Sequence, residues 1–261
     1  MRWLAALTLV ALAVACDTPP TAPNRPSTAA SSPRTTATTG APAATSASPT
    51  TIAPPDSLVR AESGWLVARA SGDVEVYTSP DHPAPNRVLA ETTLLGSRRV
   101  FLVEEGPVDG WVKLSLPVRP NGASGWARSD AFDFATVTHR IAVDLSDYRL
   151  VVYEADQPVI ETVIAIGSVH NPTPMGRFFV TDIVELDDPS GPWGPMAIGL
   201  SAHSETITEF NGGDGIVGIH GTNRPATIGQ PASLGCIRVP NDVISAVGRL
   251  IALGAPVEIG P

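Results

Sequence analysis

A chain of 261 residues can hold one large domain or two modest ones, and its net charge is −9. The acidic balance and the absence of a basic cluster argue against nucleic-acid binding. The five histidines are scattered, and the two cysteines, Cys16 and Cys236, lie 220 positions apart. No spacing resembles a zinc site, so we predict no metal and no cofactor.

The first 16 residues have the pattern of a secretory signal. Arg2 precedes a short apolar run that ends in small residues, and the run is too short to span a bilayer securely. Its end, Leu12-Ala-Val-Ala-Cys16, resembles a bacterial lipobox with Ala13 where leucine is usual. The resemblance implies lipidation of Cys16 and an anchor on the outer face of the cytoplasmic membrane. The alternative is a plain secretory signal with an incidental cysteine.

Residues 17–57 are almost entirely Thr, Ala, Pro and Ser. Such a composition cannot bury enough apolar surface to offset the entropy lost on ordering. We therefore predict a disordered tether that is locally stiffened by proline. Its Ser, Thr and Pro content also suits O-glycosylation, on which the sequence is silent.

Residues 58–136 contain several short β-type runs separated by turn signals, which favours a small barrel. The runs begin at Trp65, Val74, Arg99, Trp111 and Gly125. The pairing of Gly110-Trp-Val-Lys-Leu114 with Gly125-Trp-Ala127 resembles a bacterial SH3-like domain. That resemblance implies a module that binds cell wall or peptide. The alternative is a structural spacer whose tryptophans fill its core.

Residues 137–261 form the second predicted domain, which opens with three strand-like runs over 138–145, 148–153 and 159–166. Short polar turns between them indicate an antiparallel meander. After a Gly/Pro-rich stretch over 185–215, the apolar spacing from Val243 to Ile251 predicts one helix. We expect Asn241 to cap that helix and 256–259 to form a closing strand.

The Gly/Pro-rich stretch carries Trp193 and leaves two interpretations open. It suits a mobile lid over a cleft, or an ordinary long connection whose tryptophan packs on the sheet. Within it, Met196–Leu200 reads as a strand. We expect His203, which has no evident partner in the sequence, to be a solvated loop residue.

The stretch from Ile219 to Val239 carries the candidate chemistry. Strand-like runs lead into His220 and into Cys236, with loop-forming residues between them. A thiol nucleophile needs a nearby base and a group that orients that base. His220 can be the base and the carbonyl of Gly221 can orient its ring. Gly235 permits close approach of backbone N–H groups to an oxyanion.

His220-Gly-Thr-Asn223 followed by Ser233-Leu-Gly-Cys-Ile-Arg238 resembles the signature of the L,D-transpeptidases with a YkuD-type catalytic domain. Thr173-Pro-Met-Gly-Arg-Phe178 resembles a second motif of that family, in the expected order. Leu234 departs from the histidine that many members have before the Gly-Cys pair. The resemblance implies a mainly β protein: a small SH3-like barrel, then a YkuD-type β-sandwich with one helix in its C-terminal region.

The same resemblance implies a function in cell-wall biogenesis. Cys236 would attack a peptidoglycan tetrapeptide stem before its terminal D-Ala, and another stem's amine would take the acyl group in a 3→3 cross-link. Around Cys236, Gly235, Ser233 and Arg238 would contact the oxyanion or the substrate, and Arg238 would lower the thiol pKa or bind a carboxylate. A structural salt bridge is the other role open to Arg238. We predict a monomer that binds stem peptides.

Several alternatives stay open. With water as the acceptor, the protein would be an L,D-carboxypeptidase. With a catalytically inactive domain, it would be a lipoprotein that binds the cell wall. Cys236 could be a buried inert residue, or could form a disulfide with Cys16. Papain-like and NlpC/P60 peptidases place Cys before His, the reverse of the order here. Sortases place His much further upstream of the nucleophile.

Overall fold

In the computed structural model, residues 58–61, 64–210 and 213–261 are described. The predicted signal, the lipidation site Cys16 and the predicted tether over 17–57 lie outside these residues and stay predictions. No helix in the described ranges is long and apolar enough to cross a membrane.

The first half of the described chain forms a six-stranded antiparallel sheet, here called the N-terminal sheet, together with a small hairpin. Its strands run in the order β1-β2-β5-β6-β7, with β8 also pairing with β2, and β3 pairs with β4 in the hairpin. The strands are β1 Arg60–Ala61, β2 Gly64–Ala70, β3 Val74–Val76, β4 Arg87–Leu89, β5 Val100–Val108, β6 Trp111–Ser115, β7 Ser124–Arg128 and β8 Phe132–Val137.

The second half forms an eight-stranded sheet, here called the C-terminal sheet, and one α-helix. The strand order is β11-β10-β9-β18-β13-β14-β15-β17, and β12 pairs with β16 outside it. The elements are β9 His139–Asp144, β10 Arg149–Glu154, β11 Gln157–Val163, β12 Ile166–Gly167, β13 Gly176–Glu185, β14 Met196–His203, β15 Ile216–His220, β16 Pro231–Ser233, β17 Ile237–Arg238, α1 Asn241–Leu250 and β18 Pro256–Gly260.

Strand β13 divides the C-terminal sheet into two sections. Its first part, Gly176–Phe179, pairs with β18, whereas Val180–Glu185 pairs with β14. The meander β9-β10-β11 belongs to the first section and the site strands β15 and β17 to the second. The prediction of a mainly β fold with one C-terminal-region helix is confirmed by these elements.

Both sheets contribute to one continuous hydrophobic core, which includes Trp65, Phe101, Ile141, Ile198 and Val257. The loop that follows α1 packs close to the N-terminal sheet: a Cβ on Gly254 would lie 2.7 Å from a methyl of Val67. Such burial of apolar area is the dominant favourable term in folding. The SH3-like identity of residues 58–136 and the domain boundary at 136/137 stay predictions.

Polar contacts also join the two sheets. Arg119 Nε donates to Asp214 Oδ1 at 2.9 Å, and Asn121 exchanges two hydrogen bonds with the backbone of His203 at 2.8 and 2.9 Å. The Thr93 hydroxyl donates to Asp182 Oδ1. These contacts hold loops of the N-terminal sheet against the section of the C-terminal sheet that carries the candidate site.

Candidate functional site

Two parallel strands bring His220 and Cys236 to the same place. In the register of β15 with β17, Ile219 pairs with Ile237 and His220 with Arg238. The backbone N–H of Gly218 donates to Cys236 Sγ at 3.4 Å. Gly218 lies two residues before His220, and alternate residues of a strand share a face. The sulfur therefore lies next to the neighbour of His220 on the same face of β15. Both residues are only 1% exposed.

The imidazole of His220 is held in one orientation. Its Nδ1 lies 2.6 Å from the carbonyl oxygen of Gly221, which can only accept, so Nδ1 carries the proton. Its Nε2 is buried and has no hydrogen-bond partner among the described residues. The pKa of His220 is lowered to about 4, chiefly by burial and in smaller part by the charge of Arg238, while the hydrogen bond to Gly221 opposes the shift. His220 is therefore a neutral imidazole with a lone pair at Nε2 at neutral pH.

The turn before Cys236 is fixed by two buried hydroxyl groups. Ser233 Oγ donates to the carbonyl of Cys236 at 2.6 Å and accepts from the N–H of Gly235 at 3.1 Å. Thr173 Oγ1 donates to the carbonyl of Gly235 at 2.9 Å and accepts from Gly167 N at 2.8 Å. Gly235 has a φ of +122°, which favours glycine. Ser233 thus fixes the conformation of the turn. The Gly235 N–H can donate to an oxyanion only after its hydrogen bond to Ser233 breaks.

Arg238 lies in the interior of the site, at 1% exposure. Its backbone exchanges hydrogen bonds with Ala165 at 2.8 and 2.9 Å. Its charge contributes to the lowered pKa of His220, after the larger effect of burial. Of the roles considered for Arg238, an electrostatic one fits this burial better than direct contact with a substrate.

Asn241 supports the turn after His220, a role that the sequence did not suggest. We predicted it as the helix N-cap, but it is the first residue of α1 and makes no cap hydrogen bond, since Pro240 occupies the cap position. Its Oδ1 instead accepts from the backbone N–H of Thr222 at 2.7 Å. A Cβ on Gly221 would overlap that same oxygen, which explains why glycine follows His220.

Trp193 lies in the connection between β13 and β14 and reaches the site. Its ring centroid is 6.3 Å from that of His220, with the planes tilted by 55°. Gly194 packs against Gly221: a Cβ on Gly194 would lie 2.8 Å from the Cα of Gly221. Trp193 therefore lies beside the histidine. In the sequence, its position in a Gly/Pro-rich stretch was the sole signal for this placement.

The prediction that His203 is a solvated loop residue is wrong. It ends β14, is 2% exposed, and its Nε2 lies 3.3 Å from Asp214 Oδ2. The strand predicted over 196–200 continues to residue 203, where His203 pairs with Ile216 of β15 and its backbone exchanges hydrogen bonds with Asn121. Burial lowers the pKa of His203, which Asp214 partly offsets.

The match to known proteins covers this site. The YkuD family model, the L,D-transpeptidase catalytic domain, matches residues 138–259. The Bacillus licheniformis protein named L,D-transpeptidase YkuD is 34% identical over 126 residues, which are 48% of this chain and 68% of that protein. Its Bacillus subtilis counterpart is 31% identical over 124 residues, 48% of this chain and 67% of that protein.

Among solved structures, the catalytic domain of an Enterococcus faecium L,D-transpeptidase is 24% identical, with a TM-score of 0.34. The similarity covers 46% of this chain and 95% of that domain. The residues that the family model matches include His220 and Cys236. This chain therefore belongs to the YkuD family of L,D-transpeptidases.

Proposed function

We propose that the protein is a peptidoglycan L,D-transpeptidase that forms 3→3 cross-links through an acyl-enzyme on Cys236. One observation carries the proposal: His220 Nδ1 is held by Gly221 at 2.6 Å, its Nε2 is buried without a partner among the described residues, and Cys236 Sγ lies 3.4 Å from the Gly218 nitrogen of the same strand. That is the arrangement of a base oriented by a third group beside a nucleophile.

In the first half of the reaction, Nε2 of His220 takes the thiol proton as the sulfur attacks the stem's carbonyl carbon. The C–N bond to the terminal D-Ala then breaks, and His220 returns the proton to the leaving amine. The low pKa of His220 keeps its imidazole uncharged at rest, so the imidazolium forms only while the negative charge develops opposite it. Arg238 then offsets part of that negative charge.

In the second half, an amine of another stem attacks the thioester carbonyl. A new C–N bond forms, the C–S bond breaks, and the amine proton passes through His220 to the departing sulfur. Water in place of the amine gives hydrolysis instead, the carboxypeptidase reaction. Both reactions require the reduced thiol, because a Cys16–Cys236 disulfide would block the nucleophile.

The experiment is mass analysis of products after the reduced full chain is incubated with peptidoglycan tetrapeptide stems. A cross-linked dimer with release of D-Ala is the expected product. Tripeptide stems alone would show a carboxypeptidase. Unchanged stems that co-sediment with the protein would show a wall-binding protein with a spent catalytic domain.

We further propose that the protein is exported and anchored by lipid at Cys16, so that the reaction takes place in the cell wall. The lipobox-like end of residues 1–16 supports this proposal. Cys16→Ala should move the protein out of the membrane fraction. Retention of that variant in the membrane would refute the anchor.

A further inference from the structure

The side chain of Asn121 takes the place of a neighbouring strand beside His203, at the end of β14. Strand β13 pairs with β14 no further than Leu200, so no residue of β13 is paired with His203. Asn121 Nδ2 donates to the carbonyl of His203 at 2.8 Å, and Asn121 Oδ1 accepts from the His203 N–H at 2.9 Å. One amide from the β6–β7 loop thus satisfies two buried backbone groups, as a paired strand residue does.

His203 closes an irregular part of the ladder between β14 and β15. Gly199 pairs with Gly218 and His203 pairs with Ile216, so residues 200–202 of β14 lie opposite one position of β15. This arrangement is a β-bulge, which bends its strand and disturbs the local ladder. His203 is therefore the point at which the two strands come back into register.

The bulge of β14 borders the turn that carries the sulfur. At its near end, the N–H of Gly218 donates to Cys236 Sγ at 3.4 Å. At its far end, Ser204 follows His203 and is fully buried, and its Oγ would lie 3.9 Å from a Cβ on Gly235. A change in the shape of the bulge therefore changes the position of the Gly218 donor relative to the sulfur.

Arg119 lies in the same β6–β7 loop and holds the segment that leaves the bulge. Its Nε donates to Asp214 Oδ1 at 2.9 Å, and its Nη2 donates to the carbonyls of Asp214 and Ile207 at 3.1 and 3.3 Å. Gly215 lets this segment close, because a Cβ there would overlap the carbonyl oxygen of Ile207. The β6–β7 loop therefore holds residues 204–215 at both ends.

We propose that Asn121 is a positioning residue for the nucleophile. By pairing with His203 it fixes the bulge of β14 and, through β15, the Gly218 N–H on the sulfur of Cys236. An N–H donor favours a thiolate over a thiol, so this contact promotes the reactive form. The inference rests on the proposed role of Cys236. It makes the N-terminal sheet a support of the active site, a role different from a spacer and from a module that binds the cell wall.

The charged and titratable groups around the sulfur stay in place in the test of this role. His220 on β15 and Arg238 on β17 lie on the strands that flank the sulfur. The segment held by the β6–β7 loop brings His203 and Asp214, whose Nε2 and Oδ2 atoms are 3.3 Å apart. Because the substitutions remove none of these groups, a change in thiol titration reports the position of the Gly218 donor.

The test is alkylation of Cys236 by iodoacetamide in the reduced full chain between pH 5 and pH 10, with the modified residue identified by peptide mass. For Asn121→Ala we expect the midpoint of the rate profile to rise by about 0.5–1 pH unit, since a donor to the thiolate is weakened. The midpoint is decisive, because looser packing alone raises the rate at every pH and leaves the midpoint in place. Arg119→Ala should shift the midpoint in the same direction by a smaller amount, and it replaces Asn121→Ala if that variant does not fold.

Arg98→Ala is the matched control. It removes hydrogen bonds from a guanidinium to the carbonyl of Ala70 and to Asp133, all within the N-terminal sheet. This control should unfold at lower urea but keep its midpoint within about 0.2 unit of wild type. A wild-type midpoint in folded Asn121→Ala or in Arg119→Ala, or an equal shift in Arg98→Ala, would overturn the inference. A wild type that releases no D-Ala would instead refute the proposed function, and the midpoints would still decide the role of Asn121.

Discussion

The hydroxyl of Thr173 donates to the carbonyl oxygen of Gly235 at 2.9 Å, across 62 positions of sequence. The hydroxyl oxygen of Thr173 also accepts from the backbone N–H of Gly167 at 2.8 Å. One buried side chain thus ties the loop before β13 to the turn that carries Cys236. The threonine of the Thr173–Phe178 motif therefore supports the turn before Cys236.

Thr173→Val should destabilise the protein by about 2 kcal/mol or more, because two buried backbone groups lose their partner. We also expect slower acylation, since the turn at Gly235 loses its tie. Urea unfolding and D-Ala release measure the two effects. Thr162→Val, which removes only a bond to the adjacent Val163 carbonyl, is the control and should change stability by less than about 0.5 kcal/mol. Equal effects of the two variants would contradict this role.

Gly235→Ala tests the backbone conformation beside the nucleophile. The nearest atom to an added Cβ lies 3.7 Å away, so space is available, but the φ of +122° strains any L side chain. The cost should be about 1–3 kcal/mol, relieved by a shift that displaces Cys236. Gly110→Ala is the matched control, with a φ of +77° and its nearest atom, Arg128 Nη1, 3.8 Å from the added Cβ. The control should lose stability yet keep its acylation rate, and a Gly235→Ala protein with wild-type acylation would argue against a fixed turn.

Asn241 should be needed for the position of His220. Asn241→Ala removes the acceptor of the Thr222 N–H, which is 2.7 Å from Oδ1, and frees the turn that follows His220. We expect a loss of about 1–2 kcal/mol in stability together with a lower acylation rate. Asn241→Asp keeps the oxygen and should restore most of the rate. If Ala and Asp variants acylate equally well, the hydrogen bond does not position the base.

Acid should destabilise the protein partly through His220. The pKa of His220 is lowered from 6.5 to about 4 in the folded protein. Between these two pH values, His220 binds a proton in the unfolded chain and stays neutral in the folded chain. The stabilisation is complete above pH 6.5 and is lost as pH falls through the folded pKa, up to about 3 kcal/mol. The pKa of His203 is also lowered, which acts in the same direction.

Urea unfolding at pH 7.5 and pH 4.5 measures that loss. His220→Gln should lose about 2 kcal/mol less than wild type between the two pH values. His82→Gln, at an exposed loop position, should follow the wild type. The same loss of stability in His220→Gln and wild type would show that the histidine does not carry the acid sensitivity.

The sequence predicted much of the site because its motifs are local. His220, Gly221 and Cys236 lie at strand ends separated by a loop, and period-two runs indicated the meander of β9, β10 and β11. The failures involve distant partners. His203 is buried, and Asn121, 82 positions earlier, binds its backbone. Asn241 accepts a hydrogen bond from Thr222, while Pro240 occupies the cap position. No local pattern encodes such contacts.

Similarly, the sequence did not suggest that Thr93 and Leu94 lie beside the candidate site. They belong to a loop of the N-terminal sheet that lines a cavity together with His220, and Thr93 contacts Asp182, 89 positions later. An exposed leucine in a loop is ordinary on any protein surface. The position of Leu94 beside the candidate site depends on the packing of the two sheets against each other.

The most direct test of the central claim is intact-mass measurement of the reduced full chain during reaction with the tetrapeptide donor. We expect one adduct of the tripeptide acyl group that maps to Cys236 and is absent in Cys236→Ala. His220→Ala, shown to be folded by circular dichroism, should form it at least about 10²-fold more slowly near pH 7. An adduct at another residue, no adduct in the reduced wild type, or acylation of His220→Ala at the wild-type rate would contradict the account.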